Sequence, residues 1–527
     1  MADVRSKLRP LPTPASRIRG RSDVVVQDGL LALVNRSETP AEAQVADLLF
    51  LADALERGGV EVLLMRDDRD GPILVVDETE RVAVQRALVI SCADEPCYAI
   101  PLKRDLSRRG RPTLIADGEL ASREERLLAL VRPRIDAAGV MRTDHAVRFE
   151  FWVKSGAEVR VPAPNALTRR RFVREDMHLD EVDRYGRTWL TMRDMFAAFA
   201  SEVTFPVDIV FSWVDGTDKE WQRARARRME SYVVGEGDDS EARYRQIDEL
   251  KYALRSVHQN LPWVRTIYIA TDSPAPKWLA ADHPRVRIVR SEEFFADPSV
   301  LPTHNSQAVE CQLHHIEGLS EHFLYSNDDM FIGRPLRPES FFSPGGITRF
   351  VEADLRIGIG ESHPRRSGFE NSARVNRALL KARFGRVTTR HLEHAAAPLN
   401  RTVIERMERE FPREFARTAA SPFRAADNIS VTNSLYHYYG LLTGAAIQNT
   451  EAKALYVDTT TRKGLALLKR LLKRRDHDFF CLNDGSFPEV GPEERAQKVR
   501  SFLERYYPLA APWEVPEEAL TPNVAAG

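Results

Sequence analysis

Four short runs limit what this chain can fold into. They are VDIVFSWV (207–214), TIYIAT (266–271), RVRIVRS (285–291) and HFLYSN (322–327), the first of them rich in β-branched and aromatic residues. The first is mostly apolar without polar alternation, as a strand covered on both faces would be. Between the strand-like runs lie segments with a helical rhythm. Ile247, Leu250, Leu254, Val257 and Leu261 recur at spacings of 3, 4, 3 and 4, which places them on one face of a helix. Val309, Leu313 and Ile316 repeat in the same way. Strands alternating with helices predict an α/β fold, a Rossmann-like and mostly parallel sheet with flanking helices.

Ligands of open parallel sheets bind beyond the carboxyl ends of the strands. Asp215, Asp272 and the adjacent pair Asp328 and Asp329 each follow a predicted strand, so parallel strands would gather them on one rim. The pair sits in FLYSNDDMFIG (323–333), between two apolar runs. Two like charges in a poorly solvated place are costly, unless a divalent cation lies between them and an anionic ligand. Hard oxygen ligands favour Mg²⁺ or Mn²⁺, and Mg²⁺ typically takes one or two carboxylates together with substrate phosphates. A plain turn is the competing reading, because Asn and Asp favour turns in any context.

Charge balance excludes some partners. The 527 residues carry 76 Lys+Arg against 77 Asp+Glu, a net charge of −1, so no global field draws the protein to nucleic acid or to an anionic membrane. Anion binding must be local. The four cysteines, Cys92, Cys97, Cys311 and Cys481, form no CxxC pair, and a reducing cytoplasm is the expected setting. The N-terminal MADVRSKLRPLPTPASRIRGR has Arg and Pro without an apolar core, unlike a secretory signal. No stretch reaches the roughly 18 apolar residues of a membrane span.

The chain is expected to divide into a disordered basic tail (1–22), a smaller N-terminal α+β domain (23–200), a catalytic domain (201–515) and a short tail (516–527). In the N-terminal domain, ETPAEAQVADLLFLADALERGG reads as a helix, VEVLLMRD and GPILVVD as strands, and ERVAVQRALVISC as a helix running into a strand. This half offers no catalytic constellation. The later third supplies cations: Arg374 and Arg377 in RRSGFENSARVNRALLKARFG (365–385), His391 and His394 in HLEH, and Arg424 in ASPFRAADNIS. Arginine forks bind phosphate oxygens bidentately and histidine transfers protons near neutral pH. Residue type alone favours a solvated surface role for an isolated Arg and a structural role for an isolated His.

DIVFSWVDGTD, DELKYALRSVHQNLPWVRTIYIATD, LPTHNSQAVECQLHHIEGLSEHFLYSNDDMFIG, FPREFARTAASPFR and FFCLNDG…FLERYYPLAAPWE together resemble the sequence blocks of the Stealth family of sugar-phosphate transferases. The blocks fall near 206–218, 246–345, 363–436 and 478–514, in the family's order. The whole-chain layout looks most like actinobacterial exopolysaccharide phosphotransferases. The resemblance implies transfer of a hexose-1-phosphate, such as GlcNAc-1-phosphate, from a nucleotide-diphosphate sugar (UDP-linked by expectation) to a sugar hydroxyl of an exopolysaccharide or capsular glycan, with release of a nucleoside monophosphate.

Site roles follow from the same resemblance. Trp213, Asp215, Gly216 and Asn327 are implied at the nucleotide-sugar site. Glu310, Asp328, Asp329, Arg374, His394 and Arg424 match the catalytic positions, and Asp329 and Asp484 the cation site, with Asn483 beside them in the fourth block. Arg374 and Arg424 would bind non-bridging phosphate oxygens. His394 or Glu310 would accept the acceptor's proton, a choice left open here. Animal members carry long inserted modules between the second and third blocks, whereas this chain has a short connection, which favours a glycan acceptor over a protein. Some relatives have a second His where this chain has Ala397, which weakens a two-histidine mechanism. Further expectations are a homodimer, a peripheral contact with the inner face of the membrane, and no nucleic-acid partner. Two rivals remain. One is an ordinary metal-dependent glycosyltransferase releasing a nucleoside diphosphate, and the other a non-catalytic glycan-binding protein.

Overall fold

The structure, a computed structural model, describes residues 13–120, 124–229, 247–280, 282–485 and 488–516. It divides into two compact units, Met1–Ala198 and Phe199–Gly527.

The first unit is α+β. Helices Pro40–Arg57 and Arg81–Ser91 form where the apolar rhythm predicts them. The first is opened by a capping box between Thr39 and Glu42, which satisfies two otherwise orphaned amide donors. Leu63–Arg66 and Pro72–Asp77 pair antiparallel, and the latter runs parallel to the long strand Val147–Ser155. The expected tail over 1–22 is corrected in part. Pro14–Arg19 is a short helix capped by the Thr13 side chain, with Ile18 fully buried. A single apolar residue packing against Val24 and Leu31 is too weak a periodic signal to read from a basic, Pro-rich stretch. Residues 1–12 and 517–527, parts of the two expected tails, lie outside the described residues.

The second unit is built on a five-stranded sheet. Strands β1 (Val207–Ser212), β2 (Ile267–Ala270), β3 (Val286–Val289) and β4 (His322–Asn327) are parallel. A three-stranded sheet lies beyond β4, in which β5 (Met330–Ile332) pairs antiparallel with Phe479–Asn483. The main sheet is closed by β6 (Ala397–Asn400), antiparallel to β4. In the smaller sheet β7 (Ala454–Asp458) runs parallel to β8 (Phe479–Asn483). The order across the main sheet is β3-β2-β1-β4-β6. The chain thus steps outward from β1 to β3, then crosses back to place β4 on the other side of β1. The reversal makes the β1/β4 boundary the topological switch point, where α/β sheets bind ligands.

Both faces of the main sheet are covered. Val207, Ile209 and Phe211 of β1 enter one apolar cluster and Val210 enters another. This is why β1 reads as a continuous apolar run. Helix α1 (Glu249–Asn260) buries Leu250, Ala253, Leu254 and Val257 on the first face, each large side chain contributing about 1.5–3 kcal/mol of transfer free energy. A five-residue helix, α2 (Ser306–Glu310), is followed after Cys311 and Gln312 by a separate 3₁₀ turn, Leu313–His315, so the helical spacing of Val309, Leu313 and Ile316 falls on two short pieces. Helices α3 (Gly368–Phe384), α4 (Arg401–Glu410) and α5 (Pro492–Tyr506) complete the elements around the switch point.

Candidate active site

The site begins where β1 and β4 end side by side. Ser212 and Asn327 are register partners, and the Tyr325 hydroxyl donates to Asn327 Oδ1 at 2.8 Å and lies 2.8 Å from Ser212 Oγ. The loop after β1 carries the residues expected at the nucleotide. Trp213 is buried in the apolar core. Asp215 accepts from its own turn, from the Thr217 amide at 2.9 Å and hydroxyl at 2.7 Å. The Gly216 carbonyl accepts from Gln222. Asp272, on the same rim, caps the next helix by accepting from the Ser291 amide at 2.8 Å.

Asp328 and Asp329 form the turn from β4 into β5. The Asp329 carbonyl accepts from the Leu482 amide, and its Oδ2 accepts from Asn483 Nδ2 at 3.3 Å and the Cys481 thiol at 3.4 Å. Its Oδ1 is buried without a hydrogen-bond partner. Burial pushes the Asp329 carboxyl up and His394 opposes that rise. Asp328 is held well above the carboxylate range by burial, then by Asp329 and Glu249. Glu249, 7% exposed at the start of α1, is pushed by burial up to about 7, against the hydrogen bond it accepts from the Ile247 amide at 2.6 Å.

His394 precedes β6. Burial lowers its affinity for a proton and Asp329 raises it. The net lowering favours a neutral imidazole, the form able to act as a base. Its ring lies 5.3 Å from Tyr456 and 6.2 Å from Phe369. Phe369 also stacks on His391 at 4.4 Å, and His391 feels both Arg374 and His394. The start of α3 therefore joins His394 to Arg374 and also reaches Arg424, since a Cβ at Gly368 would fall 2.7 Å from Arg424 Cβ and Cδ.

Glu310 closes α2. It is 3% exposed and accepts from the Thr432 hydroxyl at 2.6 Å and Asn433 Nδ2 at 3.3 Å. Burial pushes its carboxyl up, opposed by Thr432, Arg424 and Tyr325. Arg424 Nη2 donates to Ser306 Oγ at 2.8 Å. Glu310, Tyr325 and Asn327 thus form a continuous polar chain reaching the switch point.

Two expected residues have acidic or basic partners of their own, and Asp484 lies with Asp329 near Tyr456. Asp484 forms an ion pair with Arg495 and accepts from Thr459 Oγ1 at 3.1 Å. Arg374 is buried, with Nη1 on the Glu370 carboxylate and carbonyl. Its Nε is buried without a hydrogen-bond partner. Of the two residues expected to hold a cation, Asp329 has a buried oxygen, Oδ1, without a hydrogen-bond partner. A divalent cation that takes its other ligands from a diphosphate fits that oxygen.

The reading from residues missed Tyr456, Cys481, Glu249 and Arg495. Cys481 pairs across strands with Met330 on one side and Tyr456 on the other, which brings both side chains beside Asp329. The only local signal was the alternation of Cys481 and Asn483 on one strand.

Family models match in four segments: Stealth protein conserved region 1 at 205–233, region 2 at 243–350, region 3 at 393–441 and region 4 at 469–523. The exopolysaccharide phosphotransferase CpsY of Mycobacterium tuberculosis is 55% identical over 495 residues, covering 93% of this chain and 92% of the relative.

The chain belongs to the Stealth family.

It is an enzyme, a phosphotransferase as its relatives are named. The exopolysaccharide phosphotransferase of Nocardia farcinica is 50% identical, covering 96% of this chain and 95% of its own. Among solved structures, the galactosyltransferase LgtC is 14% identical with a TM-score of 0.30, covering 59% of this chain and 98% of its own. Arg374 lies between the matched segments, whereas Glu310, Asp328, Asp329, His394 and Arg424 lie within regions 2 and 3. Among the described residues no helix is long and apolar enough to cross a membrane.

Proposed function

We propose that this Stealth-family enzyme transfers a hexose-1-phosphate, such as GlcNAc-1-phosphate, from a nucleotide-diphosphate sugar to a sugar hydroxyl of an exopolysaccharide or capsular glycan, releasing a nucleoside monophosphate. The observation that carries this reading is the buried, unpartnered Asp329 Oδ1 beside a largely neutral His394 at the β1/β4 switch point. Phosphoryl transfer is chiefly positioning and charge stabilisation, and these two side chains supply a cation anchor and a proton acceptor within one site.

Mg²⁺ or Mn²⁺ bound at Asp329 would neutralise charge on the diphosphate and fix its orientation. His394 accepts the proton of the attacking hydroxyl through its neutral imidazole. Glu310, held among Thr432, Asn433 and Tyr325, is the weaker base candidate because its carboxyl is occupied by donors. Its role in this reading is to hold Arg424 and Tyr325 in place. Arg424 then faces the non-bridging oxygens on which charge shifts in the transition state. The loop at Trp213, Asp215 and Gly216, which continues β1, is the place for the nucleotide.

The deciding experiment incubates the full chain with UDP-linked sugars, Mg²⁺ and a glycan acceptor, and identifies the released nucleotide. Nucleoside monophosphate with a phosphodiester-linked product supports the reading. Nucleoside diphosphate with a glycosidic product replaces it with ordinary glycosyl transfer.

A further inference from the structure

We propose that His314, His315 and Glu408 form a binding site for a zinc-class divalent cation, separate from the cation site at Asp329. His314 Nε2 and His315 Nε2 approach the same oxygen, Glu408 Oε2, at 2.8 and 3.1 Å. The two rings lie 3.9 Å apart. Among the described residues this is the only set of three His, Cys, Asp or Glu whose ligand atoms all lie within 4.8 Å of one another.

The donor set selects the ion. Two imidazole nitrogens and one carboxylate oxygen form the three-ligand arrangement typical of zinc, with a fourth position left for water or another ligand. Mg²⁺ prefers oxygen ligands in an octahedron and would not choose this set. The local structure is preformed. His314 is buried, and Phe415 lies edge-on to it with ring centroids 6.3 Å apart. His315 and Glu408 keep 30% and 28% of their side-chain surface exposed, which provides an entry path.

The sequence makes the site compact for a reason. The 3₁₀ turn Leu313–His315 places adjacent histidines where α4 presents Glu408 from its last turn. A metal would therefore tie the turn that follows Glu310 to α4. Cys311, next to Glu310, senses both Glu310 and Glu408, so this tie would lie one short step from the polar chain at the switch point.

The test reads metal content and does not depend on the transfer reaction. The full chain is stripped with a chelator, dialysed against Zn²⁺ and analysed for bound zinc. The wild type and Asp329→Asn are expected to hold one zinc per chain. Glu408→Gln and His315→Gln, both at partly exposed positions, are expected to weaken binding by at least 10-fold, the loss typical of a removed ligand or its supporting partner. X-ray absorption on the loaded wild type should show nitrogen and oxygen ligands at about 2.0–2.2 Å. Zinc should also raise the melting temperature of the wild type and of neither ligand variant. A wild type that takes up no stoichiometric zinc overturns the proposal, as does zinc retained equally by both ligand variants.

Discussion

Replacing Glu249 by Gln should stabilise the protein, and more so as pH rises. Glu249 is 7% exposed and its carboxyl is raised from 4.5 to about 7, chiefly by burial. A carboxyl whose folded value lies above its unfolded value favours the folded state while protonated. Its contribution is complete below pH 4.5 and is lost as pH rises through 7. At about 1.4 kcal/mol per pH unit across that interval, the full loss is roughly 3 kcal/mol. Gln cannot ionise and still offers a carbonyl oxygen to the Ile247 amide that donates to Glu249 at 2.6 Å. The variant should therefore exceed the wild type by about 3 kcal/mol at pH 8 and by about 1 kcal/mol at pH 5. In calorimetric unfolding of the full chain this is a difference on the order of 5 °C at pH 8. The gap should narrow steadily toward pH 5. A variant less stable than the wild type at pH 8, or a gap independent of pH, would show that Glu249 is charged and compensated in the folded state.

Further outcomes follow from the same geometry. His394→Gln should lower turnover by roughly 10²–10⁴, and the wild-type rate should fall on its acid side through a value below 6.5, because burial lowers the proton affinity of His394; an acid limb above 6.5 would assign the base elsewhere. Arg424→Lys should lower turnover on the order of 10²-fold by analogy with a lost transition-state donor, and near-normal turnover would remove Arg424 from the chemistry. Arg374→Lys should instead weaken the fold by about 1–3 kcal/mol through lost bonds to Glu370, with kcat per folded molecule little changed, as read by active-site titration alongside unfolding. Asp329→Asn should abolish dependence of the rate on added Mg²⁺ together with most activity, and a variant still activated by Mg²⁺ would place the cation elsewhere.

The elements legible in the sequence were those whose signal is local. The apolar run 207–214 marks a strand because both its faces are covered, and Ile247 to Leu261 mark a helix because one face packs on the sheet. What local reading cannot supply is pairing between distant strands. Cys481 meets Asp329 across 152 residues, and nothing near either position announces the other. The same limit separates acids that look alike. Asp272 and Asp328 both follow a strand, yet Asp272 caps a helix at Ser291 while Asp328 faces Asp329 and Glu249. Asp484 and Arg374 have the residue types the chemistry needs, but Arg495 and Glu370 already engage them. A charge can be read from a sequence, but its partner is a property of the fold.

That distinction determines how an anionic donor can enter this site. Among the described residues, Arg424 acts on Glu310, Arg495 pairs with Asp484, and Arg374 pairs with Glu370. The acids at the end of β4 are not balanced in this way. Asp328 faces two further acids, and Asp329 has His394, whose burial disfavours the charged form. In the proposed function, a diphosphate that arrives with its own divalent cation would give Asp329 Oδ1 the partner it lacks and would favour the charged form of acids that burial holds toward protonation. A free diphosphate would bring no such partner. Donor affinity should therefore rise with the concentration of Mg²⁺ up to saturation of the complex, as read by donor titration, and an affinity independent of Mg²⁺ would refute this step.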